Sequence, residues 1–208
     1  MTTHPLWRPY DPPTDEEIAA ARVGCRSVAA PIEVVAPDSA WTDDYRSVRR
    51  QVTDALGDRV LAIEHVGSTA VPGLWAKPVI DVDVTVVSSA DEPAWLPDLE
   101  AAGFELRVRE PEWEEHRCLR GLVPATNVHV WSPGAQEAQR HVAFRDWLRT
   151  HEGDRAAYAD LKRSLARHGA FTDVMAYNNA KAGLIYDIYE QIFNADPTYA
   201  HDRRPRTV

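Results

Sequence analysis

Leu61–Val86 reads LAIEHVGSTAVPGLWAKPVIDVDVTV. Two apolar, β-branched runs, 60–66 and 79–87, flank a segment broken by Gly67-Ser68, Val71-Pro72-Gly73 and Lys77-Pro78. The runs read as short strands and the Gly and Pro residues as the turn between them. The second run carries Asp81 and Asp83 at alternate positions. Side chains of a strand alternate between its faces, so Ile80, Val82 and Val84 face a core, while Asp81, Asp83 and Thr85 face the other way. The strand rise puts the two aspartate Cα atoms ~7 Å apart. Aspartate is disfavoured in strands, and like charges this close repel. A Mg²⁺ ion removes that repulsion, because it takes carboxylate oxygens and keeps positions open for phosphate. A solvent-exposed acidic face is the ordinary alternative, but the rest of the run is apolar. Gly67 lets the backbone turn and approach a ligand closely. Ser68 offers a hydroxyl, and the amides after it can form a small anion nest.

Outward from this stretch, the pattern predicts strands first and helices last. Thr14 followed by Asp15-Glu16-Glu17 marks a helix start, with a short helix over 18–23 ending near Gly24. Residues 32–35 form a short β-rich run. Trp41, Tyr45, Val48, Val52 and Leu56 share one helical face. A short helix is predicted over 93–102, and strands over 104–108, 117–122 and 128–131, the last two joined through Pro124 and Asn127. Helical spacing then runs through 135–150, 154–168 and 173–193. The expected class is α+β, a mixed sheet with a helical C-terminal half. Residues 1–30 read as an arm and short helix, with Trp7 and Tyr10 laid on the domain surface. Residues 31–194 form the domain, and 195–208 a polar tail expected to be disordered.

The chain has 208 residues, 44% of them hydrophobic and 26% charged, enough for a full core. A net charge of -9 opposes broad binding to nucleic acid, which needs many Lys and Arg to displace counterions. A nucleotide held through a metal remains compatible with it. Cys25 and Cys118 are the only cysteines and read as free thiols of a reducing compartment. No apolar leader and no membrane-length apolar window is visible, so the expected place is the cytoplasm.

The spacing apolar-Gly-Ser, a gap of twelve residues, then Asp-apolar-Asp resembles the signature of the nucleotidyltransferase (polymerase β-like) fold. More closely, HVGSTAVPGLWAKPVIDVDV resembles the motif of the GrpB-like family placed in that superfamily. IEVVAPDSAW, EHRCLR, NVHVW, HVAFRDWLRTH and YADLKRSLA are similar to its further elements, from about Ile32 to Phe193. The resemblance implies a nucleotidyltransferase-like fold in which Gly67, Ser68 and Thr69 contact nucleotide phosphates and Asp81 and Asp83 bind Mg²⁺ (or Mn²⁺). Lys77 stands at a motif position where its ammonium would face a phosphate. Lys181, one turn after Tyr177, would reach over a nucleotide from the closing helix. Active members of the superfamily add a third carboxylate; here the matching strand offers His129 instead, as a metal ligand or general base. Glu64 and Glu114 are the other acids in reach of that role. His116 joining His129 would suit a transition metal, but the hard oxygen donors favour Mg²⁺ or Mn²⁺. Arg117 and Arg120 fall on opposite faces of their strand.

Two functions fit these residues. One is metal-dependent transfer of a nucleotidyl group from a nucleoside triphosphate to a small-molecule acceptor, with Asp81, Asp83 and His129 as the catalytic set. The other is a non-catalytic nucleotide- or partner-binding protein on the same fold.

Overall fold

The computed structural model describes residues 2–9, 11–24, 31–167, 171 and 173–202; Tyr10 and Cys25 lie outside them. Helix α1 (Asp15–Ala21) begins on a reciprocal cap in which Thr14 Oγ1 accepts from the Glu17 amide and the Glu17 carboxylate accepts from the Thr14 amide. Helix α2 (Ala40–Leu56) buries Trp41, Val48, Val52 and Leu56, the face its spacing predicts. Strand β1 (Ala62–Val66) and β2 (Ile80–Thr85) follow, then α3 (Leu96–Ala101), β3 (Glu105–Glu110), β4 (His116–Leu122) and β5 (Ala125–Trp131). Three helices close the chain: α4 (Gln136–Thr150), α5 (Glu152–Arg167) and α6 (Val174–Ala195). No described helix is long and apolar enough to cross a membrane.

The five strands form one mixed sheet in the order β1-β2-β5-β4-β3, an α+β architecture. Only β2 and β5 run parallel; β1–β2, β5–β4 and β4–β3 are antiparallel. The parallel pairing sets Asp81 opposite Asn127 and Asp83 opposite His129. Strand parity then divides the sheet. Ile80, Val82, Val84, Leu119, Val128 and Val130 enter one core with Val48, Val52, Leu56, Trp95 and Leu99 from α2 and α3. The opposite face carries Asp81, Asp83, Asn127, His129 and Trp131 toward the C-terminal helices. Those helices have their own core of Leu148, Tyr158, Ala159 and Ile188, packed on Val71 and Leu74 from the β1–β2 connection. The functional face is therefore trapped between two apolar layers.

Three local expectations change. The run 32–35 does not become a strand; Val35 makes only an isolated bridge to Ala76. Pro31 and Pro37 bracket the run and deny it ladder donors. The β4–β5 turn is tighter than read, because Leu122 pairs with Ala125, which leaves Asn127 inside the strand and next to Asp81. The segment expected to be a disordered tail is held as far as Asp202. The Thr2 and Asp202 backbones are linked, Thr2 N–H donates to the Asp202 carboxylate, and His201 and Glu190 are 3.0 Å apart. Residues 203–208 lie outside the described set.

Candidate functional site

A cavity of about 290 Å³ opens between the polar face of the sheet and helices α5 and α6. Its floor is Asp81 and Asn127, its near wall Gly67, Ser68 and Lys77, and its roof Lys162, Tyr177 and Lys181. The sequence-predicted residues Gly67, Ser68, Lys77, Asp81, His129 and Lys181 are thus brought together. Thr69 is not among them: its hydroxyl is buried, donates to the Val79 carbonyl and meets His65 Nε2 at 3.1 Å, on the far side of the loop.

Gly67 is required by geometry. Its φ is 68°, and a Cβ built there would overlap the Asp81 carboxylate, lying only 3.0 Å from Asp81 Cγ. A positive φ and this close approach both exclude other residues. Gly67→Ala is expected to cost about 2 kcal/mol or more of folding stability, from strain plus overlap. Urea titration checks it, and a wild-type midpoint would remove glycine from the argument.

The two aspartates have different surroundings. Asp81 Oδ1 accepts from Asn127 Nδ2 at 2.8 Å, and its Oδ2 takes no hydrogen bond from a described residue. Burial raises its pKa above the ordinary carboxyl value, against the opposing Asn127 hydrogen bond and the His141 and Lys77 charges. Asp83 is 4% exposed, accepts from Trp131 Nε1 at 3.0 Å and lies 2.9 Å from His141 Nδ1. Burial opposes its ionisation too, but the His141 charge and hydrogen bond outweigh that and hold its pKa below the ordinary value. His141 is pushed up to about 9: burial works against its charge, and Asp83, Glu137 and Asp81 overcome it. Asp83 and His141 are therefore an ion pair whose imidazole lines the cavity while its carboxylate lies behind it. Among the described residues no three His, Cys, Asp or Glu side chains gather in an arrangement for a metal.

Histidine 129 lines the cavity between these groups. Glu110 Oε2 lies 2.7 Å from His116 Nδ1, and His116 Nε2 lies 3.0 Å from His129 Nδ1. In the tautomer with a neutral His116 donating from Nδ1 to Glu110, His129 donates from Nδ1 and its Nε2 is left as a bare acceptor. Burial, then the neighbouring His116, pushes His129 down to about 3, so it is neutral at ordinary pH.

The roof is built from two lysines. Lys162 is 2% exposed, donates from Nζ to Ser68 Oγ at 2.9 Å and sits 4.4 Å above the Tyr158 ring. Burial, then the Lys181 charge, pushes it down to about 6. Lys181 lies 4.3 Å above the Tyr177 ring; burial, then Lys77, brings it to about 8, with Asp81 opposing. Burial lowers Lys77 as well. The Tyr177 hydroxyl is buried with no hydrogen-bond partner among the described residues.

Sequence reading missed Lys162, His141 and Asn127. Lys162 follows Tyr158 by four residues on the buried face of α5, so an i, i+4 pairing with an aromatic was the available signal. The two acids considered as third carboxylates are elsewhere. Glu64 pairs with Arg145 at 2.6 Å, and Glu114 pairs with Arg8. Arg117 is engaged by Glu92, and Arg120 is exposed.

The fold and site define an α+β protein whose carboxylate-and-lysine cavity lies between a mixed sheet and a helical layer. The family model described as "GrpB protein" matches residues 31–191, and the chain belongs to the GrpB family. It is 42% identical over 181 residues to a UPF0157 protein of Halalkalibacterium halodurans, covering 86% of this chain and 92% of that one. It is also similar to the crystal structure of the conserved protein GrpB from Enterococcus faecalis, with a TM-score of 0.69 and 30% identity over 78% of this chain and 98% of that one. A protein of Mycolicibacterium paratuberculosis named dephospho-CoA kinase is 32% identical over 208 residues; the match covers 86% of this chain and 51% of that protein.

Proposed function

We propose that the cavity binds the phosphates of a nucleoside triphosphate, and that the chain transfers the nucleotidyl group to a small-molecule acceptor with help from Mg²⁺ or Mn²⁺. The observation that carries this reading is the convergence of Lys77, Lys162 and Lys181 on one cavity with a single facing carboxylate, Asp81. Burial first lowers all three amines, and the Lys181 charge then lowers Lys162 and the Lys77 charge lowers Lys181; a bound anion would offset both causes. The unpartnered Tyr177 hydroxyl aims at the same need for an acceptor oxygen. The Gly67-Ser68 turn followed by Asp81-Val82-Asp83 supports the nucleotidyltransferase type, and the dephospho-CoA kinase name of the longer relatives is in keeping with a nucleotide-related role.

A divalent ion fits Asp81, whose Oδ2 takes no hydrogen bond from a described residue; one carboxylate plus phosphate oxygens suffices for Mg²⁺. When bound, the ion would neutralise charge on the phosphates. Asp83 serves indirectly, holding His141 and Trp131 against the floor. Lys162 and Ser68 orient the phosphate chain, and Lys77 and Lys181 neutralise it. In transfer, an acceptor hydroxyl oxygen bonds to the α-phosphorus and pyrophosphate departs with its bridging oxygen. The hydroxyl proton leaves with the departing pyrophosphate, because His129, held at about 3, is too weak a base to take it at ordinary pH. Binding without transfer is the second reading, favoured by His129, not a carboxylate, standing beside Asp83 on the neighbouring strand and by Asp83 being paired with His141.

Thermal unfolding with each nucleoside triphosphate, with and without Mg²⁺, tests the site. A shift of several degrees that needs the metal and vanishes in Asp81→Asn is expected. No shift with any nucleotide would remove the pocket assignment, while a shift without pyrophosphate release across an acceptor panel would select the binding role.

A further inference from the structure

The loop that forms the phosphate wall has a second face. His65, Thr69, Ala70 and Val71 line a separate cavity of about 610 Å³, closed on the other side by α2 and by Arg149 of α4. Part of its inner surface is aromatic. Trp41 and Tyr45 line it, and the Tyr45 ring stacks on His65 with centroids 4.5 Å apart and planes 9° apart. Its charge is one-sided. Arg46, Arg49 and Arg149 line it against one acid, Asp38, whose Oδ1 already accepts from the Ala40 amide. Arg46 is paired with Asp43, and Arg149 with Asp146 and the Ala70 carbonyl. Arg49 has no ion pair among the described residues.

Thr69 Oγ1 gives its proton to the Val79 carbonyl, so it accepts from His65 Nε2 and leaves Nδ1 as the acceptor nitrogen of a neutral ring. Burial first, then Arg149 and Arg145, pushes His65 down to about 4. The Arg149 charge, which adds to the effect of burial on His65, also attracts an anion.

We propose that this second cavity binds a small molecule joining a planar ring to a carboxylate or phosphate, with the ring against Trp41 and Tyr45 and the anion at Arg49 and Arg149. Aromatic faces take the ring, and a guanidinium takes either oxyanion in a fork. The inference is independent of the nucleotide reading, because none of its residues lines the Asp81 cavity.

Calorimetric titration of the full chain with benzoate, phenyl phosphate, phenol and inorganic phosphate tests it. Saturable one-to-one binding of benzoate or phenyl phosphate is expected, with phenol bound far more weakly. Arg49→Gln is expected to weaken it roughly tenfold, since a charge-assisted pair is lost, and Asp81→Asn to leave it unchanged. Binding of only one aromatic anion supports the site and names its anion. No binding of either, equal binding of phenol, or loss in Asp81→Asn with none in Arg49→Gln would overturn the proposal.

Discussion

Lys162→Met is expected to stabilise the folded chain at pH 7 by on the order of 3 kcal/mol while weakening phosphate binding roughly tenfold or more. The lysine is 2% exposed and titrates near 6 in the folded chain, while an unfolded lysine keeps its ordinary value of about 10.4. Between those values the unfolded chain holds the extra proton. Folding stability therefore rises with pH by about 1.4 kcal/mol per unit across that window. Methionine has similar length and no charge to surrender, so it removes both the cost and the slope, at the loss of one hydrogen bond to Ser68. Denaturant titration at several pH values, with a chelator present, measures it. A destabilised Lys162→Met with the wild-type slope would show the lysine to be charged in the folded state. The trade is physical: an ammonium site that awaits an anion is strained without one.

His141→Ala is expected to cost about 3–5 kcal/mol, because it strands the Asp83 carboxylate in a site 4% exposed with only the Trp131 indole as donor. The signs of the pair are opposite at its two ends. The raised His141 contributes stability that is whole below its ordinary value of about 6.5 and fades as pH climbs through about 9. The lowered Asp83 contributes stability present above its ordinary value of about 3.9 and lost as pH falls through its folded value. From about 6.5 to about 8 the His141 slope runs against the Lys162 slope, and the wild-type profile is expected to be nearly flat there. Each variant uncovers the other: stability should rise with pH in His141→Ala and fall in Lys162→Met. Lys181, which titrates near 8, adds to the rising side only above that value. Parallel slopes in both variants would show that these groups do not titrate as their burial dictates.

Much of the fold was legible because local physics is strong in it. The faces of α2 and β2, the Thr14 cap and the helical last third followed from periodicity and capping alone. The 32–35 run and the 195–202 segment were less so. A short apolar run becomes a strand only if a neighbour offers its edge, and a polar tail is ordered only if distant partners such as Thr2 and Glu190 meet it.

For the site, the sequence by itself determined Gly67, Ser68 and the alternation that turns Asp81 away from the core, since each depends on backbone geometry within a few residues. Only the tertiary structure decided what those residues face. The parallel pairing of β2 with β5 brought Asn127 to Asp81, 46 positions away. The packing of α4 gave Asp83 its imidazolium, 58 positions away. The packing of α5 set Lys162 against Ser68, 94 positions away. Charge in a buried site is fixed by partners and solvent exclusion, which no local spacing encodes. Two aspartates that read alike in one strand thereby became a cavity floor and a buried anchor.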